Sequence, residues 1–193
     1  MNMIDEYGVL YSFDKKRLIK GNPDLTEYKI IKGCEIIGHE AFGECRKLIN
    51  IIIPNTVISI EIQTFINCHD LTGIVIPNSV TSIGWSAFKS CSSLTSIIIP
   101  DSVTSIDTYS LFKGCRNLRN VTIPKSVNKI DWSCFLECTI LTEIHCKSQI
   151  PPDIEEYSFY YVDKTMCKLY VPKGSKEAYQ EVWKWGFENI IEE

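Results

Sequence analysis

Long apolar runs, basic clusters and catalytic motifs are all scarce in this sequence. No apolar run nears the ~20 residues of a membrane-spanning helix. The net charge is −4 and Lys and Arg form no stripe, which argues against a nucleic-acid partner. The chain has three histidines, and no G-x-S-x-G or H-E-x-x-H motif accompanies them. We therefore expect no membrane insertion, no nucleic-acid partner, no catalytic residue and no cofactor.

The composition is that of an ordinary globular domain. The chain has 193 residues, of which 45% are hydrophobic and 23% are charged, and this is enough to bury a core. Its first residues, Met1-Asn2-Met3-Ile4-Asp5-Glu6, lack the basic and apolar regions of a signal peptide. Two locations stay open. The protein is cytoplasmic if Met1 is the native start, and secreted or at the cell surface if a leader has been removed.

What the sequence does contain is a repeat. Phenylalanine recurs at intervals of 23, 23, 24 and 23 residues, at Phe42, Phe65, Phe88, Phe112 and Phe135. A cysteine follows each phenylalanine by three residues, at Cys45, Cys68, Cys91, Cys115 and Cys138. A leucine follows each cysteine at the same distance, at Leu48, Leu71, Leu94, Leu118 and Leu141. A period in the low twenties is typical of a solenoid, in which each coil of chain stacks on the next.

One full copy of the repeat indicates how a coil is built. Ile97 and Ile99 are predicted to point inward from a strand, and Ile98 to point outward. Pro100 ends the strand because it has no N–H to donate to a neighbour. Val103-x-x-Ile106 predicts a second parallel strand or an extended arc on another side of the coil. The segment with Phe and Cys is predicted to form a tight helical turn that returns the chain.

The pattern degrades at both ends, which predicts caps. A first, irregular repeat starts near Leu25, and seven strands are expected in the main sheet. Pro151-Pro152 is predicted to break one arc. Residues 8–20 are typical of a β-hairpin, and Ser175 to Trp185 of a helix whose first residue is the N-cap. We predict a single domain with an N-terminal hairpin cap at 1–24, repeats at 25–172 and a C-terminal cap at 173–193.

Nine cysteines raise the question of a metal site or disulfides. Five share one repeat column beside the phenylalanines, and Cys34, Cys134 and Cys146 stand in columns that are otherwise apolar. A zinc site at Cys134, Cys138, His145 and Cys146 fits neither the spacing of a zinc ribbon nor that of a finger. Free cysteine behaves as a small buried hydrophobe. We therefore expect buried thiols and no metal.

A candidate binding surface lies on the outward face of the main sheet. Residues between the inward positions form a ladder whose neighbours are about 4.8 Å apart on adjacent strands. The predicted binding positions are Ile52, Val75, Ile98, Thr122, His145 and Tyr170. The first three would be adjacent exposed aliphatic residues, which suit docking of an extended segment or a flat protein surface. The alternative is that β-branched residues are there only because they favour strands.

Trp85 and Trp132 offer a different surface, because they share one column of the repeat. Stacked surface tryptophans bind sugars or other proteins through a large ring and a polar N–H. The alternative is that they pack along the convex edge of the solenoid, since tryptophan is usually mostly buried.

The residues from Ile76 to Ile97 carry a family resemblance. They read I-P-x-S-V-T-S-I-x-x-x-A-F-x-x-C-x-x-L-T-S-I, and this string resembles the BspA-type, or Treponema-type, leucine-rich repeats. Gly8-Val-Leu-Tyr-Ser12 resembles the hairpin before such repeats, and Leu169 to Ile190 resembles the C-terminal cap of members from gut Bacteroidetes. The resemblance implies a right-handed, curved leucine-rich-repeat solenoid, mostly β with short helical turns. It also implies binding, since the better-understood members are cell-surface adhesins and host-protein binders.

The function favoured by these observations is that of a non-enzymatic protein-binding module, and the family resemblance implies, more specifically, a bacterial adhesin or host-protein binder. Two alternatives stay open, a carbohydrate-binding surface protein and an intracellular scaffold with no role at the surface. The expected partner is a protein, and the chain is expected to be a monomer rather than an obligate oligomer.

Overall fold

The computed structural model describes residues 2–104, 106, 109–183 and 186–193. It is a β-solenoid of about seven turns with one short helix near the C-terminus, as the repeat predicts. In chain order its elements are β1 (Asn2–Ile4), β2 (Leu10–Ser12), β3 (Arg17–Lys20), β4 (Glu27–Lys29), β5 (Ile36–Ile37), β6 (Asn50–Ile52), β7 (Ser59–Ile60), β8 (Gly73–Ile74), β9 (Ser82–Ile83), β10 (Ser96–Ile98), β11 (Asn120–Ile123), β12 (Lys129–Ile130), β13 (Glu143–Cys146), β14 (Asp153–Ile154), β15 (Lys168–Val171), α1 (Lys176–Val182) and β16 (Asn189–Glu192).

The main sheet is built from parallel strands that stack in register. β4, β6 and β8 form one run, and β10, β11, β13, β15 and β16 form another. Inward residues lie opposite one another, so that Ile97 pairs with Val121 and Val121 with Ile144. All seven strands expected from the repeat are present. β16 is an additional strand that the repeat does not predict, and it pairs with β15 beyond the last coil.

A second sheet occupies another side of the coils, where the arcs were predicted. β2 and β3 form the predicted hairpin, β1 adds a further antiparallel strand, and β3 continues into parallel β5, β7 and β9. The expectation that Pro151-Pro152 breaks an arc was wrong, because β14 follows these prolines directly and pairs with β12. Proline lacks only its own N–H, and both prolines lie before the paired residues begin.

The third side of each coil is a series of turns rather than the helical turn that we predicted. Residues two positions before and after each of the five phenylalanines from Phe42 to Phe135 have positive φ, such as Ser86 at 54° and Ser90 at 60° around Phe88. Left-handed residues interrupt a right-handed helix. Here the Ser86 N–H donates to the Tyr109 carbonyl of the next coil at 3.0 Å, and the Ser90 N–H donates to the Lys113 carbonyl at 2.7 Å. Backbone hydrogen bonds therefore join the coils on this side as well.

The repeat columns form the core. Successive phenylalanine rings are buried and stacked, with centroids 5.1 to 5.5 Å apart, at Phe42, Phe65, Phe88, Phe112, Phe135 and Phe159. All nine cysteines are buried free thiols. The Cys91 thiol donates to the Phe65 carbonyl of the preceding coil at 3.2 Å, and three other column cysteines repeat this contact. A thiol thus fills a small apolar site and also satisfies a buried carbonyl.

The C-terminal helix is shorter than predicted. α1 ends at Val182, and Trp185, its predicted last residue, lies outside the described residues. Ser175 occupies the N-cap position, but its hydroxyl donates to the Pro172 carbonyl at 2.6 Å and makes no cap hydrogen bond to the helix. The described residues contain no helix that is both long and apolar enough to cross a membrane.

β16 supplies the cap that Ser175 does not. The Glu192 carboxylate accepts the Lys176 N–H at 3.2 Å and the Gly174 N–H at 2.9 Å, which places a negative charge at the start of α1. Trp183 then packs on Phe159 with ring centroids 5.5 Å apart. The helix and the last strand together cover the end of the phenylalanine column.

Candidate functional site

The outward ladder of the main sheet has the register that the alternation predicts. Val75 is 81% exposed, Ile98 is 67% exposed and Ile52 is 52% exposed, while the inward residues beside them are buried. We call these three residues the apolar ladder. The other predicted positions lie on the same face and are partly buried, at Thr122, His145 and Tyr170.

The far end of this face is engaged by the C-terminal cap. The His145 ring stacks on Tyr170, with centroids 4.4 Å apart and planes within 5°. Its Nδ1 lies 3.3 Å from the Glu193 carboxylate. Lys147 pairs with the same carboxylate, and this hydrogen bond lowers the pKa of Glu193. A binding role for His145 and Tyr170 stays a prediction, and their side chains already have partners within the chain.

The apolar ladder lines a groove of about 710 Å³ on the main sheet. None of the 13 residues that line it is charged. Gly73 lies in the middle of the groove, and a Cβ added there would meet no atom within 4 Å, so the missing side chain keeps the groove open. Asn50 is paired with Gly73 in the register of β6 and β8, and Ser96 lines the groove from β10. The groove therefore combines aliphatic surface with small neutral polar groups.

Backbone hydrogen bonds at the strand ends differ between the groove and the strands on either side of it. In the regular pattern, the residue after the strand donates its N–H to the next coil. Ile30 donates to the Ile52 carbonyl at 3.1 Å, and Ile99 donates to the Thr122 carbonyl at 3.1 Å. These bonds lie on either side of the groove and continue the parallel ladder there.

The same bonds are missing within the groove. Ile53 and Ile76 stand at the corresponding repeat position, yet among the described residues neither N–H has a backbone partner. The Val75 carbonyl also accepts no backbone hydrogen bond in the described chain. β8 has only two residues and does not pair with β10. The sequence carries no signal for this interruption beyond Gly73, which packs no side chain in its strand.

The tryptophan column is also on the surface. Trp85 is 43% exposed and Trp132 is 42% exposed, so each ring is partly packed and partly free. Tyr109 stands between them in the same column and is 62% exposed. The sequence analysis did not name Tyr109 as a surface residue. It could have been found because Tyr109 stands three residues before Phe112, as Trp85 stands three residues before Phe88. Trp132 contacts Tyr157 with centroids 5.5 Å apart, which extends the exposed aromatic surface by one coil.

The thiols offer packing rather than chemistry. In the part of the chain that the structure describes, no three His, Cys, Asp or Glu side chains come together as a metal site would require. Burial raises the pKa of Cys45 to about 11 and the pKa values of Cys115 and Cys167 to about 12. Thiolate is the form that attacks and coordinates, and these groups are protonated at neutral pH.

Comparison with known proteins places this architecture in a described family. Residues 18–111 and 110–185 match the BspA type Leucine rich repeat region, in six copies. No curated protein matches the chain.

Solved bacterial structures resemble the chain along most of its length. The pneumococcal vaccine antigen PcpA is 25% identical, with a TM-score of 0.81 over 96% of this chain and 46% of that one. A leucine rich cell surface protein from Faecalibacterium prausnitzii is 32% identical, with a TM-score of 0.64 over 75% of this chain and 37% of that one. The T. pallidum leucine rich repeat protein is 21% identical, with a TM-score of 0.62 over 98% of this chain and 94% of that one. At this identity the similarity supports only a shared fold. The chain spans less than half the length of the first two.

Proposed function

The chain belongs to the BspA-type leucine-rich-repeat family, and from this premise we propose that it is a non-enzymatic module that binds a protein through the groove beside the apolar ladder. The observation that carries the proposal is the exposure of Ile52, Val75 and Ile98 on one face. Solubility alone would favour polar side chains at these positions, and contiguous exposed apolar surface is typical of interaction sites.

The concave shape of the groove beside the apolar ladder also supports the proposal. The groove beside Gly73 is concave and open, so a partner segment can contact the aliphatic side chains from more than one side. The uncharged lining also matches the depletion of charge at the centre of protein interfaces. The wet, polar rim would come from the surrounding serine, threonine and asparagine residues.

A role at the bacterial surface, as an adhesin or a host-protein binder, is the more specific form of the proposal. Its support is that one similar structure is a vaccine antigen and another is a cell surface protein.

Val75→Glu tests the proposed surface. A partner identified by pull-down should bind this variant more weakly by several kcal/mol, because the new carboxylate would be desolvated at the centre of the contact. Folding should be nearly unchanged, since Val75 is 81% exposed. Affinity is measured by calorimetry and the fold by circular dichroism.

Ile58→Glu is the matched control for that test. Ile58 is 47% exposed and lies beside β7 on the second sheet, so the same substitution there should leave affinity unchanged. Equal affinities of wild type and Val75→Glu, with both folded, would exclude the main-sheet face.

A carbohydrate ligand is the second candidate function, and the exposed column of Trp85, Tyr109 and Trp132 favours it. Aromatic rings on adjacent coils offer apolar faces with polar edges. A glycan array with wild type and Trp132→Ala tests this. Signals that persist in the variant, or no signal at all, would remove the aromatic column as a sugar site.

A further inference from the structure

The groove contains backbone groups that are left without partners in the described chain. Within the described residues the N–H groups of Ile53 and Ile76 and the carbonyl of Val75 make no backbone hydrogen bond. Ile53 is 8% exposed and Ile76 is 6% exposed, so water reaches them poorly. Buried backbone groups are almost always paired in folded proteins. A cluster of donors and one acceptor in an otherwise aliphatic groove therefore points to something that binds there.

The chemistry of the groove limits what that can be. Its lining carries no charge, so a charged group entering it would lose hydration without gaining a counter-charge. A lysine side chain only donates hydrogen bonds and an ionised carboxylate only accepts them. A carboxamide does both and is neutral, which matches an N–H beside a carbonyl. The aliphatic residues on each side match apolar neighbours along the same partner segment.

We propose that the groove binds an uncharged extended segment of a partner protein and receives an asparagine or glutamine side chain at the interruption beside Val75. This inference rests on the proposed function and names the chemistry of the partner at that same site. The carboxamide would accept from the free N–H of Ile53 or Ile76 and donate to the free Val75 carbonyl. Ile52 and Ile98 would pack against apolar residues before and after it.

The experiment is selection from a phage-displayed library of random 12-residue peptides on the wild-type protein. Clones that also bind immobilised Val75→Glu protein are removed. The remaining sequences should share one Asn or Gln flanked by aliphatic or aromatic residues, with little charge. Synthetic peptides are then compared by calorimetry with versions in which that residue is replaced by Leu or by Glu. We expect each replacement to weaken binding at least tenfold.

A variant of the protein tests the groove from the other side. Gly73→Leu adds a side chain where a Cβ has free space, so the fold should persist while the groove is filled and the selected peptides are lost. Gly73→Ala, which adds only the Cβ, is its matched control and should retain most of the binding.

The outcomes separate this inference from the proposed function. Peptides that depend on Val75 but tolerate replacement of the carboxamide by Leu would overturn the inference and leave the binding face intact. Selected peptides rich in Lys, Arg, Asp or Glu would overturn it as well. If no selected peptide depends on Val75, the binding face itself is wrong.

Discussion

Raising the pH above about 9 should unfold this protein through its cysteines. All nine thiols are buried, and burial raises the pKa of each, to about 11 for Cys45 and about 12 for Cys115. In the unfolded chain they ionise near the ordinary value of about 9. Above that pH the unfolded state loses protons that the folded state keeps. The free energy of unfolding is therefore undiminished below about pH 9 and falls as the pH rises toward the folded pKa values.

The number of thiols makes the effect large. At pH 10, one unit above the unfolded pKa, a thiol that stays protonated in the folded protein lowers the free energy of unfolding by about 1.4 kcal/mol. The eight thiols other than Cys34 have strongly raised pKa values, and together they remove about 11 kcal/mol, an upper figure because compact unfolded chains keep some burial. Domains are stable by about 5–15 kcal/mol. We therefore expect an alkaline unfolding midpoint between about pH 9.5 and 10.5.

The assay is urea unfolding followed by circular dichroism from pH 7.5 to 10.5, with a reducing agent and without oxygen. The control is the double variant Cys68→Ala and Cys91→Ala. Its stability at neutral pH will be lower, but above pH 9 its slope should be shallower by about 3 kcal/mol per pH unit. A free energy of unfolding that stays constant up to pH 10.5 would refute the reasoning. An unchanged slope in the double variant would assign the transition to other groups.

Three further predictions concern the core, the cap and the thiols. Phe88→Ala should lower the free energy of unfolding by about 3–5 kcal/mol, because its ring is buried between Phe65 and Phe112. The control Phe13→Ala, at a residue that is 76% exposed, should change the free energy of unfolding by less than about 0.5 kcal/mol. A loss below about 1 kcal/mol for Phe88→Ala would contradict the packing. Glu192→Ala should lower the free energy of unfolding by about 1 kcal/mol and speed amide hydrogen exchange in α1. Glu192→Gln should have a smaller effect on both, because its amide oxygen can still accept the N–H hydrogen bonds at the start of α1. Equal exchange rates in wild type and both variants would exclude the cap. Native protein should react slowly with a thiol reagent at pH 7.5 and keep its melting temperature in a chelator, and a melt that depends on metal would contradict the buried-thiol interpretation.

Much of the fold could be read from one coil. The spacing of Phe88, Cys91 and Leu94 repeats in the neighbouring copies, and a side chain that recurs at one position must meet the same surroundings each time. Inward and outward side chains alternate along the strand around Ile97, and this alternation predicts which residues face outward. Val75 and Ile98 are therefore predicted from sequence to point outward. The candidate binding face followed from that register. The failures came where neighbours in sequence do not control conformation, as with the left-handed serines around Phe88 and the arc after Pro151-Pro152.

The sequence by itself determined the solenoid, its buried columns and its outward ladder, because these depend on a local pattern that is copied along the chain. Only the tertiary structure decided the remaining features. β16 joins the sheet, and Glu192 caps a helix 16 residues before it, through contacts that occur once and leave no periodic trace. In the described part of the chain, the hydrogen bonds from Ile53 and Ile76 to the next coil are missing in the groove, although the same repeat position makes them at Ile30 and Ile99. Whether two stacked backbones meet within hydrogen-bond distance depends on how whole coils sit on one another, and no single coil encodes that.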